Sequence, residues 1–253
     1  MNSIHRTLLK LAALSLLATS TTALAGRPND GFLRRKDFDK EEQAREDRGL
    51  ALGLRAGYGV PFGEFGENNN RDGGKLKDLY SGAIPLQVDV GYFFNSHLYL
   101  GASFQYGLVQ LAEDCPDGAS CSASQMRFGV NLAYHFKVGK QLEPWVGVGL
   151  GYEILDSSVS TEALGVTSDI GTSLRGFEFA TVQGGLDYRI TKMFSVGPFV
   201  TFTAGQYTTV GSSIKTEGGG PIFGDVDESD EEDIDEPAVH GWLYGGVRLQ
   251  LRF

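Results

Sequence analysis

At 253 residues, with 35 glycines or about twice the usual share, the chain has the composition of one glycine-rich all-β domain. Its formal net charge of -10 offers no basic stripe to neutralise phosphates, which excludes a nucleic-acid partner. Two cysteines are too few for a disulfide scaffold.

Residues 1–25 read as a secretory signal peptide. His5, Arg6 and Lys10 form a basic start, Leu11 to Ala18 an apolar core, and Ala23-Leu24-Ala25 a small-residue cleavage site before Gly26. Residues 26–49 are dense in both charge signs, as in Arg34-Arg35-Lys36 and Arg45-Glu46-Asp47-Arg48, and are expected to form a solvated extension. After the signal peptide no run approaches the roughly 18 apolar residues of a membrane helix. Any membrane form of the chain must then be a closed barrel, in which every backbone N–H and C=O is paired.

Over residues 50–253 apolar and polar residues alternate with period two, and the alternation recurs in segments. The expected strands are Leu50 to Val60, Ile84 to Phe94, Leu98 to Val109, Gln125 to Phe136, Pro144 to Ile154, Phe177 to Ile190, Phe194 to Tyr207 and Ala238 to Phe253. The last puts Val239, Leu243, Val247, Leu249, Leu251 and Phe253 on one face, against His240, Trp242, Tyr244, Arg248, Gln250 and Arg252 on the other. Connections alternate in length: Asn95 to His97, Lys137 to Glu143 and Thr191 to Met193 are short, while Pro61 to Ala83, Gln110 to Ser124, Leu155 to Gly176 and Thr208 to Pro237 are long. Together these features predict an all-β fold, an eight-stranded antiparallel up-and-down transmembrane β-barrel. Its N-terminus and short turns would lie in the periplasm and its long loops outside the cell.

A soluble barrel alternates too, but buries its apolar face in the lumen. Here the polar face carries glycine, serine, glutamine and arginine-carboxylate pairs and almost no lysine, which suits a narrow lumen. Aromatic residues gather at both ends of the apolar face, with Tyr92, Phe94, Tyr134, Phe136, Tyr188, Phe194 and Phe253 at one and Tyr58, Phe104, Tyr106, Tyr152 and Phe202 at the other. Two such girdles mark a membrane barrel.

From Leu50 to Phe253 the chain resembles the small outer-membrane β-barrel family, the OmpA-transmembrane, OmpX and OmpW-like group of Gram-negative bacteria. The specific part is the closing Val247-Arg248-Leu249-Gln250-Leu251-Arg252-Phe253. The resemblance implies that Val247, Leu249, Leu251 and Phe253 act as the signal read by the outer-membrane assembly machinery. It also implies outer-membrane lipid and lipopolysaccharide as surroundings and an extracellular ligand as a partner.

The inward parity gathers Arg55, Asp89, Arg127, Glu153, Asp187, Arg189, Arg248 and Arg252, which are expected to pair across the lumen and close it. Cys115 and Cys121 flank the turn-forming Pro116-Asp117-Gly118 in one long loop and are expected to form a disulfide. The acidic run of the last long loop reads as a solvated segment. Asp225, Asp227, Asp233 and Glu236 partly echo calcium-loop spacing, but Asp230 stands where that loop requires glycine. His135 and His240 fall at opposite ends of the lumen and His97 in a short turn, so no catalytic site is expected, nor any cofactor. The reading is a structural, surface-recognition or adhesion barrel; the alternatives are an OmpW-like narrow channel for small hydrophobic molecules or a lipid A-modifying barrel enzyme.

The mature protein is expected to begin at Gly26 and to run as a heat-modifiable band from the outer-membrane fraction. Mass spectrometry of the purified mature chain, with gels run before and after heating, checks both; recovery from the soluble periplasm with unchanged mobility overturns the reading.

Overall fold

The computed structural model describes residues 48–66, 74–136, 141–163, 166–217 and 226–253. The expected signal peptide, almost all of the charged extension, and Asp225 lie outside them. The strands are β1 (Gly49–Gly63), β2 (Tyr80–Phe93), β3 (Leu98–Leu111), β4 (Ala119–His135), β5 (Leu142–Ala163), β6 (Val166–Arg189), β7 (Phe194–Glu217), β8 (Val226–Asp233) and β9 (Val239–Arg252). One helical turn, α1 (Leu76–Leu79), precedes β2.

From β1 to β7 each strand pairs antiparallel with the next, and β9 closes the ring by pairing with both β1 and β7. The ninth strand, β8, pairs with β7 alone. Eight strands therefore make the wall, as the alternation predicts. Closure runs from Ala51 opposite Arg252 to Gly63 opposite His240.

The apolar parity faces out. Leu50, Leu52 and Leu54 are 61%, 42% and 55% exposed, whereas Ala51 and Arg55 on the other parity are 1% and 4% exposed. That inverts the arrangement of a soluble barrel, and no water-exposed sheet carries such a surface. The aromatic girdles are rows of touching rings: Tyr92 with Phe94 and Tyr134 with Phe136 at the short-turn end, Phe62 with Phe202 and Phe104 with Phe128 towards the other. About ten residues at roughly 3.3 Å each, tilted by about 40°, span the 25 Å or so of such an apolar band.

The structure corrects the strand bounds at the far end. Leu155 to Gly176 and Thr208 to Pro237, expected as long loops, are mostly strand, because β5, β6 and β7 run well past the apolar band and β8 is added to them. Past the buried Leu155 and Leu174 their Ser/Thr/Gly-rich sequence has water on both faces, so it lacks the apolar contrast that reveals a strand. Ala119 to Ser124 and Tyr80 to Ala83 likewise belong to β4 and β2, and Leu142 and Glu143 to β5 rather than to a turn. Residues 226–233 of the acidic run, expected as a solvated loop, form β8.

Cys115 and Cys121 are bonded, with Cα atoms 5.8 Å apart. Inside the bridge Ala119 N–H donates to Pro116 C=O at 3.0 Å, and Gly118 holds φ +81°, a conformation a Cβ disfavours. Closing so short a loop removes about 2 kcal/mol of chain entropy from the unfolded state. Replacing both cysteines by serine is expected to loosen the β3–β4 turn and leave the barrel folded. Hydrogen exchange across residues 112–122, beside a heat-modifiability gel, reads both outcomes, and loss of the folded band contradicts them.

Candidate functional site

The lumen is a column of side chains in layers, because inward positions of opposed strands stack at matching heights. At the short-turn end Glu143 binds two arginines, Arg189 and Arg252, the latter at 2.8 Å. Arg252 also lies 3.9 Å over the Phe93 ring, and its Nη2 is 3.3 Å from His135 Nδ1. Next, Arg248 stacks 4.4 Å over Trp145 and stands 3.6 Å from Asp187, which accepts a hydrogen bond from the Trp145 indole at 3.3 Å. Above them Arg55 grips Asp89 at 2.7 Å and donates to Gln183 at 2.6 Å, and Gln183 donates on to Asn131.

Two further layers complete the column. Arg127 meets Glu178 through Nε at 2.8 Å and Nη2 at 2.7 Å, a two-pronged pair, and reaches Gln105 through Nη1. Among the described residues Glu153 has no arginine within ion-pair distance. Its Oε1 instead accepts from Gln125 at 2.8 Å, Tyr207 at 2.8 Å and Trp242 at 3.0 Å, while Oε2 lies 3.5 Å from His240 Nε2. Tyr207 stacks on His240 with centroids 3.7 Å apart.

Five arginines (Arg55, Arg127, Arg189, Arg248, Arg252) thus share the lumen with five carboxylates (Asp89, Glu143, Glu153, Glu178, Asp187). Little space is left among them. The void beside Arg127 and Gln87 is about 20 Å³, room for roughly one water. The gap between Arg55, Phe199 and Tyr244 holds none.

Above Glu153 the column turns apolar. Leu155, Leu174, Tyr80, Leu76 and Ile234 are at most 9% exposed and cap the barrel, with α1 supplying Leu76. Beyond this cap β5 to β8 continue as an open sheet, whose inner face is set out in cross-strand rows. Leu155, Leu174, Val210 and Glu232 stand opposite one another; the next row is Ser157, Thr172, Ser212 and Asp230. The third is Val159, Ile170, Ile214 and Glu228. Each of these three rows ends in an acid on β8. Between this face and Phe65, Leu79 and Leu111 lies a cup of about 570 Å³.

The model of the outer membrane protein beta-barrel domain family matches residues 11–216. The chain belongs to that family and lies in the outer membrane. No curated protein matches it. Among solved structures it is similar to Neisserial surface protein A, at 13% identity over 83% of this chain and 99% of that one, with a TM-score of 0.40. A major outer membrane protein of Thermus thermophilus gives 11% identity, 80% and 99% coverage and a TM-score of 0.48. OprG of Pseudomonas aeruginosa gives 15%, 83% and 99%, and 0.42.

In this outer-membrane barrel the short turns face the periplasm and the extended sheet stands outside the cell, with lipid around the apolar band. All eight charges expected in the lumen are there, six of them at most 7% exposed and Arg189 and Arg252 half-buried. Sequence reasoning missed Glu178 and Glu143. An extra residue in β6 shifts its register between Glu178 and Ala180, so Glu178 points inward although its even number places it with the lipid-facing parity of Val182 and Leu186. The missed signal was the flip itself: Phe177 and Phe179 precede an outward Val182. Glu143 was assigned to a turn. Val247, Leu249, Leu251 and Phe253 face outward, 37–60% exposed.

Asp227 and Asp233 stand at opposite ends of an eight-residue strand, roughly 20 Å apart when extended, and Glu236 lies past it. Among the described residues no three His, Cys, Asp or Glu side chains form a group able to hold a metal ion.

Removing one member of a buried pair leaves its partner charged and unsolvated, at a cost of about 3 to 5 kcal/mol. Glu178→Ala or Asp89→Ala is therefore expected to destabilise the barrel by that order. Glu231→Ala, which frees the exposed Arg175 (40% and 57% exposed as a pair), should cost no more than about 1 kcal/mol. Urea unfolding from lipid vesicles, followed by tryptophan fluorescence, compares them, and equal losses refute the buried-pair account.

Proposed function

We propose that this protein is a non-enzymatic recognition barrel: a closed column in the outer membrane that presents the extended sheet of β5 to β8 to the surroundings of the cell. The contrast of about 20 Å³ of void in the charged lumen with about 570 Å³ in the extracellular cup carries this reading. Arginines and carboxylates in equal number fill the interior, and the apolar cap seals its outer end. The exposed strands, free of lipid, carry hydroxyl, acidic and apolar side chains in register and supply a recognition surface. Outer-membrane lipid, lipopolysaccharide and the assembly machinery are its partners in the envelope, and an extracellular ligand is the partner of the sheet.

The buried histidines support the absence of catalysis. His135 and His240 are 0% and 1% exposed at opposite ends of the column, where neither meets a lipid A headgroup. The apolar cup also favours a second reading, uptake of small hydrophobic molecules along an OmpW-like narrow channel; the packed charges beneath the cap oppose it.

Planar-bilayer recordings of the refolded chain are expected to show small, intermittent conductance. Cells displaying the protein should bind host or abiotic surface material, and a variant with β5 to β8 cut back to the membrane rim should lose that binding. A large, steady, non-selective conductance, or undiminished binding by the trimmed barrel, overturns the proposal.

A further inference from the structure

We infer that the cup at the extracellular mouth is a binding site for a neutral glycoside, a sugar that carries an apolar group. The inference rests on the surface-recognition reading and names the ligand class of that surface. At about 570 Å³ the cup has the size of a small-molecule site. Its floor is the apolar cap over the lumen, so the occupant comes from the medium and stays on the outer side.

Three successive rows of the inner sheet face give the cup its chemistry. The lowest presents Leu174 and Val210 as an apolar floor, and Phe65 and Tyr80 bring aromatic rings to the same space. The next is polar throughout, with Ser157, Thr172, Ser212 and Asp230 on four adjacent strands. Above it Val159, Ile170 and Ile214 stand 37%, 54% and 47% exposed, although they lie beyond the lipid-facing band. Large apolar side chains left in register in water mark a contact surface.

The polar row between two apolar rows selects a sugar. Neighbouring strands are about 4.8 Å apart, so the row offers four hydrogen-bonding groups at even intervals along a line. A hydroxyl donates once and accepts twice, so Ser157 keeps capacity for a ligand beside its bond to the Tyr80 hydroxyl, and the Asp230 carboxylate accepts from hydroxyls. The hydroxyls along one edge of a sugar ring, each able to donate and accept, answer such a line. An acidic sugar would meet the Asp230 carboxylate with like charge, which favours a neutral one. An apolar molecule without hydroxyls strips water from the row without replacing it, while a bare sugar leaves the floor uncovered. A glycoside satisfies both: its apolar group lies on Leu174 and Val210, its hydroxyls meet the polar row, and its C–H groups cover Ile170 and Ile214.

The test titrates the full chain, refolded in zwitterionic lipid nanodiscs, with phenyl β-D-glucoside, phenyl β-D-galactoside and phenyl α-D-mannoside, with empty nanodiscs as the blank. Calorimetry is expected to show saturable one-to-one binding of at least one of the three. Thr172→Val/Ser212→Ala, which removes two hydroxyls from the polar row, should weaken it about tenfold or more. The same loss on the opposite face, Ser213→Ala/Ser229→Ala, should leave it within about twofold. The free sugar, which keeps the hydroxyls and lacks the apolar group, and anisole, which keeps the phenyl ether and lacks the sugar, should each bind at least about tenfold more weakly. A heat-modifiability gel confirms that each variant is folded. Three results overturn the inference: no binding of any of the three glycosides, equal loss in both double variants, or equal affinity for the free sugar or for anisole. None of them disturbs the surface-recognition reading, which falls on conductance and cell-binding data.

Discussion

Pairing of β9 with β1 removes the last free strand edges from the part of the chain that meets lipid, where no water is available for a loose N–H or C=O. Much of the molecule follows from that closure. Eight tilted strands enclose an interior just wide enough for side chains, so whatever the inward parity carries must fit against itself. Glycines on that parity make room for the large groups: a Cβ on Gly59 would run into the Tyr244 ring.

Charge neutrality of the lumen is reached globally and broken locally. Glu143 serves two arginines near the periplasm, whereas Glu153 near the outer end serves none and is held by neutral donors from Gln125, Tyr207 and Trp242. One surplus positive charge below is thus balanced by one surplus negative charge above. Cation-ring contacts, Arg252 on Phe93 and Arg248 on Trp145, take over where a carboxylate is shared or distant.

Outside the membrane the constraint relaxes. Strands β5 to β8 persist there as an open sheet, whose edge β8 is tolerable because water can satisfy it. The acids of β8 repel a further strand, which protects a flat exposed edge from pairing with another chain. Those same acids end three successive rows of the inner face, opposite Val210, Ser212 and Ile214.

The strand count, the closed ring and the membrane setting were legible in the sequence, because lipid on one face and a narrow lumen on the other impose a strict period of two and place arginine and carboxylate on one parity. Leu50, Leu52 and Leu54 against Gly53 and Arg55 already contain that argument. The pairing of Cys115 with Cys121 was legible too, since a tight turn separates them. Which charges meet was not: Arg55 finds Asp89 on the next strand, but Arg127 finds Glu178 two strands away. Partners across a lumen depend on strand shear, and one extra residue in β6 turned Glu178 from the lipid face to the inside. The long outer strands were equally hidden, because a strand wet on both faces shows no apolar alternation. Composition and periodicity determined the barrel; only the tertiary structure, by setting register, decided what fills it and what stands above it.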